Sequence, residues 1–193
     1  MKVLKFTSTA VQILATYKSF LFLIIISFFV LHIGASFADA QKTVKRPPKC
    51  SGVNGLSQAE ITEIVNVHNF VRNGLNLESL TWDCRLADFA QEWAKRGVAE
   101  HRDDREYGES IFVSGARDVA AISAVNKWMM EKFSWDNKTG KCKPGKVCTH
   151  YTQIVWKRTK RIGCGINRNA PGKWKTMLVC NYDPAGNDPG PAY

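Results

Sequence analysis

Apolar residues recur at helical spacing in three stretches of the chain and at strand spacing in its last third. Ile61, Ile64, Val65, His68 and Val71 form the first stripe, the recurrence of an amphipathic helix. Ser57 followed by Glu60 is a capping box that starts this helix. Asn73-Gly74 stops it, so it runs to about Arg72. His68 lies on the apolar stripe and reads as a packed core residue. A second helix begins at about Asp83, with Leu86, Phe89, Ala90 and Trp93 on one face and Gly97 as its stop. A third begins after Asp118, with Ile122, Val125, Met129 and Phe133 as its stripe. Gly108 to Val113 reads as a strand. Arg161 to Ile166 and Lys175 to Tyr182 read as two more, joined by a turn at Asn169-Ala170-Pro171-Gly172. Tyr151 to Trp156 is ambiguous, because a short apolar run fits a strand as well as a helix. Helices first and strands last, without βαβ alternation, predict an α+β layered domain.

The N-terminus has another character. Lys2, Lys5 and Lys18 precede an apolar run from Phe20 to Leu31, and Ala38-Asp39-Ala40 fits a small-residue cleavage site. This is the pattern of a secretory signal peptide, and the run falls short of the ~20 residues of a spanning helix. The expected division is therefore a signal peptide over 1–40, a basic Pro- and Gly-containing arm over 41–56, and one domain over 57–193. The chain carries a formal charge of +10; residues 1–40 hold three lysines and Asp39, so +8 remains after cleavage. That balance favours anionic lipid or cell-wall polyanions as partners, and secretion argues against nucleic acid.

Six cysteines follow the cleavage site: Cys50, Cys84, Cys142, Cys148, Cys164 and Cys180. An even count behind a signal peptide implies an oxidised framework, with fifteen pairings open to it. The absence of Cys-x-x-Cys excludes a zinc ribbon or a thioredoxin-type site. Asn137-Lys138-Thr139 is an N-glycosylation sequon.

Two blocks carry the most specific signal: Cys148-Thr149-His150-Tyr151-Thr152-Gln153-Ile154-Val155-Trp156 and Cys180-Asn181-Tyr182-Asp183-Pro184-Ala185-Gly186-Asn187. They resemble the signature segments of the CAP superfamily, which comprises cysteine-rich secretory proteins, antigen 5 proteins and plant pathogenesis-related class 1 proteins. Val67 to Arg72, Leu80 to Asp83, Gly108-Glu109-Ser110 and Trp128 to Glu131 extend the resemblance over roughly residues 57–187. The plant class is the most similar branch, since no further cysteine-rich segment follows the second signature. The resemblance implies a three-layer α-β-α sandwich, and a short helix for the ambiguous segment. It also implies a cleft tetrad of His101, Glu109, Glu131 and His150, with Ser110 standing where the family has asparagine. Two imidazoles and two carboxylates suit a divalent metal such as zinc or copper, or proton exchange between groups whose pKa values are driven apart. Two family disulfides match Cys142–Cys148 and Cys164–Cys180. Cys50 and Cys84 then remain, and they are expected to bond to each other.

Three functions follow from the resemblance. The first is a secreted, apoplastic, monomeric defence protein, antifungal through sterol or membrane-lipid binding. Its lipid site is expected in the loop Phe133 to Val147, where Phe133 and Trp135 stand with Lys138, Lys141, Lys143 and Lys146. The second is a metal-dependent hydrolase using the His/Glu cleft. No hydroxyl or thiol nucleophile is tied to a base in this sequence, so that reading requires a metal-activated water. The third is a precursor of a C-terminal signalling peptide beginning at Pro184.

Overall fold

In a computed structural model that describes residues 47–50, 54–104, 106–188 and 192–193, the first helix begins as its capping box requires. Ser57 Oγ accepts from the Glu60 N–H at 3.2 Å, and the Glu60 carboxylate accepts from the Ser57 N–H at 2.9 Å. This helix, α1, spans Gln58–Gly74 and buries Ile61, Ile64, Val65, His68 and Arg72. The expected signal peptide and most of the basic arm lie outside the described residues.

Helix α2 spans Cys84–Arg96. Asp83 caps it by accepting from the N–H groups of Arg85 and Leu86, and Gly97 ends it at φ 71°. Its buried face is Leu86, Ala87, Ala90, Gln91 and Ala94, which differs from the expected face through Phe89 and Trp93. The reason lies in the strand beneath. A Cβ built on Gly163 would stand 2.2 Å from Ala87 N, and one on Gly165 would stand 2.4 Å from Gln91 Cα. The helix therefore lies against bare backbone and only small or slender residues fit between, which leaves Phe89 and Trp93 half-buried, Trp93 packed against the smaller core.

Helix α3 spans Ala121–Met130 and tightens into a 3-10 turn over Glu131–Ser134. It buries Ala121, Ala124, Val125 and Trp128, so only Val125 of the expected stripe is fully buried. The 3-10 turn changes the angle per residue and carries Phe133 out to 61% exposure. The ambiguous segment is helical: α4 spans Thr149–Ile154.

Strands β1 (Thr81–Trp82), β2 (Gly108–Ser114), β5 (Arg161–Asn167) and β6 (Thr176–Asp183) form one sheet in the order β1-β5-β6-β2. Among the described residues only the β1–β5 pairing in this sheet is parallel. A second ribbon pairs β3 (Trp135–Asp136) with β4 (Lys141–Cys142). Along β6, Met177 and Val179 pack with Ala90 and Ala94 of α2, while Leu178, Cys180 and Tyr182 join the core under α1, α3 and α4. Alternate residues thus feed two cores. The fold is the three-layer α-β-α sandwich of the α+β class, and both faces of its sheet are covered.

Three disulfides staple these layers: Cys50–Cys84, Cys142–Cys148 and Cys164–Cys180. The arm is held by more than its cysteine. The Ile166 N–H donates to Asn54 O at 2.9 Å, and Gly55, at φ 72°, sits so close to Ile166 O that a Cβ there would clash at 2.1 Å. At the other terminus Ala192 is 1% exposed and accepts from the Lys157 N–H at 2.7 Å. No helix among the described residues is long and apolar enough to cross a membrane.

Candidate functional site

The four residues expected to line a cleft fall into two histidine–glutamate pairs. In the first, His101 precedes β2 and Glu109 lies within it. His101 Nδ1 stands 2.9 Å from Glu109 Oε1, which also accepts from the Arg102 N–H at 3.3 Å. The imidazole side chain is 61% exposed and the carboxylate 7%. Arg102 packs beside them. Its guanidinium carbon lies 3.7 Å from the Phe89 ring centroid and 5.0 Å from that of Trp93, and it donates to Phe89 O. The two half-buried aromatics therefore form a platform for this arginine, a cation–π arrangement.

In the second pair, Glu131 opens the 3-10 turn after α3 and His150 stands in the first turn of α4. His150 Nδ1 lies 2.7 Å from Glu131 Oε1. Glu131 Oε2 accepts from the N–H groups of His150 at 3.0 Å and Tyr151 at 3.4 Å. Cys148, which precedes α4, supplies no side-chain cap, so Glu131 satisfies the open N–H groups there. The imidazole stacks on Trp128, with rings 5.6 Å apart and 12° from parallel.

A cleft of about 290 Å³ opens beside the first pair. His101, Arg102 and Glu109 line one side, and Gln153, Asn181 and Asn187 also border it; Glu131 and His150 do not. Arg102, Gln153, Asn181 and Asn187 were missed as cleft residues in the sequence. Arg102 sits in an unremarkable charged run. Asn187 takes its position from fold contacts, accepting from Thr152 Oγ1 at 2.6 Å and donating to Thr149 O at 2.9 Å. The expected metal set meets a difficulty here. Each histidine turns Nδ1 to a carboxylate, the orientation a metal-bound histidine keeps. Yet among the described residues no three His, Cys, Asp or Glu side chains converge as a metal site. The residues do not fit a three-ligand catalytic metal, and what they offer is two separate imidazole–carboxylate pairs.

His68 is fully buried. Its Nδ1 faces Ile64 O at 2.8 Å, and its Nε2 faces Tyr182 Oη at 3.0 Å. Burial lowers its pKa to about 4, so it is a neutral core residue.

In the loop expected to hold lipid, the two aromatics part. Phe133 is exposed, whereas Trp135 is partly buried against the core and donates from Nε1 to Tyr193 Oη at 3.1 Å. Asn137 is exposed at the tip of the β3–β4 ribbon, where its side-chain oxygen accepts from Tyr193 Oη.

A family model described as CAP, the cysteine-rich secretory protein family, matches residues 65–182. The chain is 35% identical over 139 residues to a pathogenesis-related protein of PR-1 type from Sambucus nigra, covering 70% of this chain and 82% of that one. It is 37% identical over 134 residues to pathogenesis-related protein 1A1 of Solanum lycopersicum, covering 68% and 75%. The solved structure of BmVAL-1 superposes with a TM-score of 0.66 at 25% identity, covering 76% of this chain and 86% of that chain. The chain belongs to the CAP family, and its relatives make it a pathogenesis-related protein of the class 1 type.

Proposed function

We propose that this protein is secreted to the apoplast and acts in defence by binding sterols or related membrane lipids, with antifungal action as the consequence. The observation that carries this reading is the setting of Phe133. Its ring is 61% exposed and lies 5.0 Å from Lys132 Nζ. It precedes a segment that carries Lys138 and Lys141 on the β3–β4 ribbon and Lys143 and Lys146 in the loop closed by Cys142–Cys148. An aromatic ring held in water beside cations suits an amphipathic lipid with an apolar body and a polar head. Trp135 serves this site from behind, fixing the loop through Tyr193. All six cysteines are paired, which supports an oxidising, extracellular setting. The alternative reading, a metal-dependent hydrolase at the His/Glu cleft, would need a third metal ligand, and among the described residues no three His, Cys, Asp or Glu side chains converge.

Sterol binding by the protein made in an oxidising host, with and without a chelator, tests the reading. Saturable binding that ignores the chelator and is lost in Phe133→Ser is the expected result. Absence of binding by the parent protein, or full binding by the variant, overturns it.

A further inference from the structure

The end of α1 and the end of α3 lie side by side and hold apolar side chains out to solvent. Phe70 of α1 is 79% exposed. It borders a groove of about 480 Å³ shared with Val71, Leu75, Met129, Lys132 and Tyr151. Met129 and Lys132 are three residues apart, so one stripe of α3 and its 3-10 extension faces the groove. The neighbouring stripe is Met130 and Phe133, again three apart, at 60% and 61% exposure. Among the described residues nothing covers these large side chains, although a groove lies beside them.

The charge around them is one-sided. Residues 131–147 include Lys132, Lys138, Lys141, Lys143 and Lys146 against Glu131 and Asp136. Both carboxylates are already engaged: Glu131 holds His150, and Asp136 accepts from the Lys138 N–H at 2.9 Å. Among the described residues none of the five lysines lies within ion-pair distance of a carboxylate. Apolar tips beside unpaired lysines are the arrangement by which peripheral proteins seat on anionic lipid.

We propose that Phe70, Met130 and Phe133 form a docking face for an anionic lipid bilayer. The three side chains enter the boundary between headgroups and acyl chains, and the five lysines meet the headgroup phosphates. The charge complementarity selects a membrane over a second copy of this chain, which carries the same positive loop and would repel it. The docking deepens the lipid-binding reading and rests, like it, on Phe133 and the lysine-bearing segment, but it needs no sterol, so the two can fail separately.

Sedimentation with sterol-free vesicles tests the proposal, using phosphatidylcholine alone and phosphatidylcholine mixed with phosphatidylserine. The full protein is expected to bind the anionic vesicles at least ~tenfold better than the neutral ones, and to lose this preference when salt shortens the Debye length from about 10 Å to about 3 Å. Phe70→Ser is expected to weaken binding about tenfold, the scale of burying one phenylalanine ring. Val98→Ser removes an exposed apolar residue just beyond α2, on the opposite layer, and is expected to change nothing. Lys141→Glu with Lys143→Glu gives a second, charge-based variant on the exposed ribbon and is expected to abolish the preference. Equal binding to both vesicle types, or no effect of Phe70→Ser, overturns the proposal. A concentration-dependent dimer lost in Phe70→Ser, with no vesicle binding, also overturns it by assigning the face to a second copy. Vesicle docking with no sterol binding in solution would uphold this face while defeating sterol recognition.

Discussion

Glu131 grips His150 at two points, with its Oε1 2.7 Å from the ring Nδ1 and its Oε2 3.0 Å from the backbone nitrogen. The carboxylate thereby positions the imidazole and caps α4 at once. Hydrogen bonds to a charged group contribute about 1.5–3 kcal/mol each. Glu131→Ala is expected to destabilise the protein by about 2 kcal/mol or more. The His150→Ala change should then cost less in that background than alone. Thermal unfolding of the two single variants and the double variant checks this. Strict additivity would show that the pair is not coupled.

Arg72 is fully buried, and among the described residues no carboxylate lies within ion-pair distance of it. It donates instead to four carbonyls: Glu78 O at 2.7 Å, Ile154 O and Trp156 O at 2.9 Å, and Thr159 O at 3.1 Å. It thus ties the end of α1 to the chain leaving α4. Arg72→Met leaves buried acceptors without donors, at about 1–3 kcal/mol each. A loss of at least ~3 kcal/mol is expected. Arg72→Lys should restore little of it, since one ammonium cannot reproduce the planar fork. Chemical denaturation measures both variants, and a stable Arg72→Met protein would contradict the account.

The pH dependence of stability should carry the mark of His68. Burial holds its folded pKa at about 4, below the ordinary value of 6.5. The unfolded chain therefore binds the proton more readily, and stability rises with pH between these values. The contribution is complete above about pH 6.5 and is lost as pH falls toward 4. Its full size is on the order of 3 kcal/mol, at about 1.36 kcal/mol per unit. Urea unfolding across this window should show the slope in the parent protein and a flatter one in His68→Gln. Equal slopes would mean that other groups set the acid limit.

The elements were legible in the sequence because caps, stops and turns are local. Ser57 with Glu60, Asp83 before α2, and Gly97 after it act where they stand. The faces were less legible, since Phe89 and Trp93 match helical spacing as well as Ala87 and Gln91 do. What decided between them was Gly163 and Gly165 on a strand some seventy residues away, which admit only a flat helix surface. The cleft shows the same limit. The resemblance supplied His101, Glu109, Glu131 and His150, but no pattern indicated that each histidine would keep its own carboxylate. Arg102 and Asn187 reach their places through contacts with Phe89 and with Thr149 and Thr152, which only the folded chain creates.

The last two residues act as part of the core. Ala192 is 1% exposed and accepts from the Lys157 N–H, while Tyr193 takes the Trp135 indole hydrogen and donates to Asn137. Their removal opens a gap in the main core and leaves two donors without acceptors. A loss of about 1–2 kcal/mol is expected, about 2–8 °C in melting temperature for a domain of this size. Tyr193→Phe should lose the smaller part, because it keeps the ring against Trp135 and removes only the hydroxyl. The tail is also pinned at its start, where Thr159 Oγ1 donates to Pro184 O at 2.9 Å and the Gly186 N–H donates to Gln153 Oε1 at 3.0 Å. A peptide released from Pro184 onward would therefore leave a destabilised protein behind. Calorimetry of the parent, the Ala192–Tyr193 deletion and Tyr193→Phe decides the matter: unchanged melting in the deletion would reduce the tail to a passive appendage.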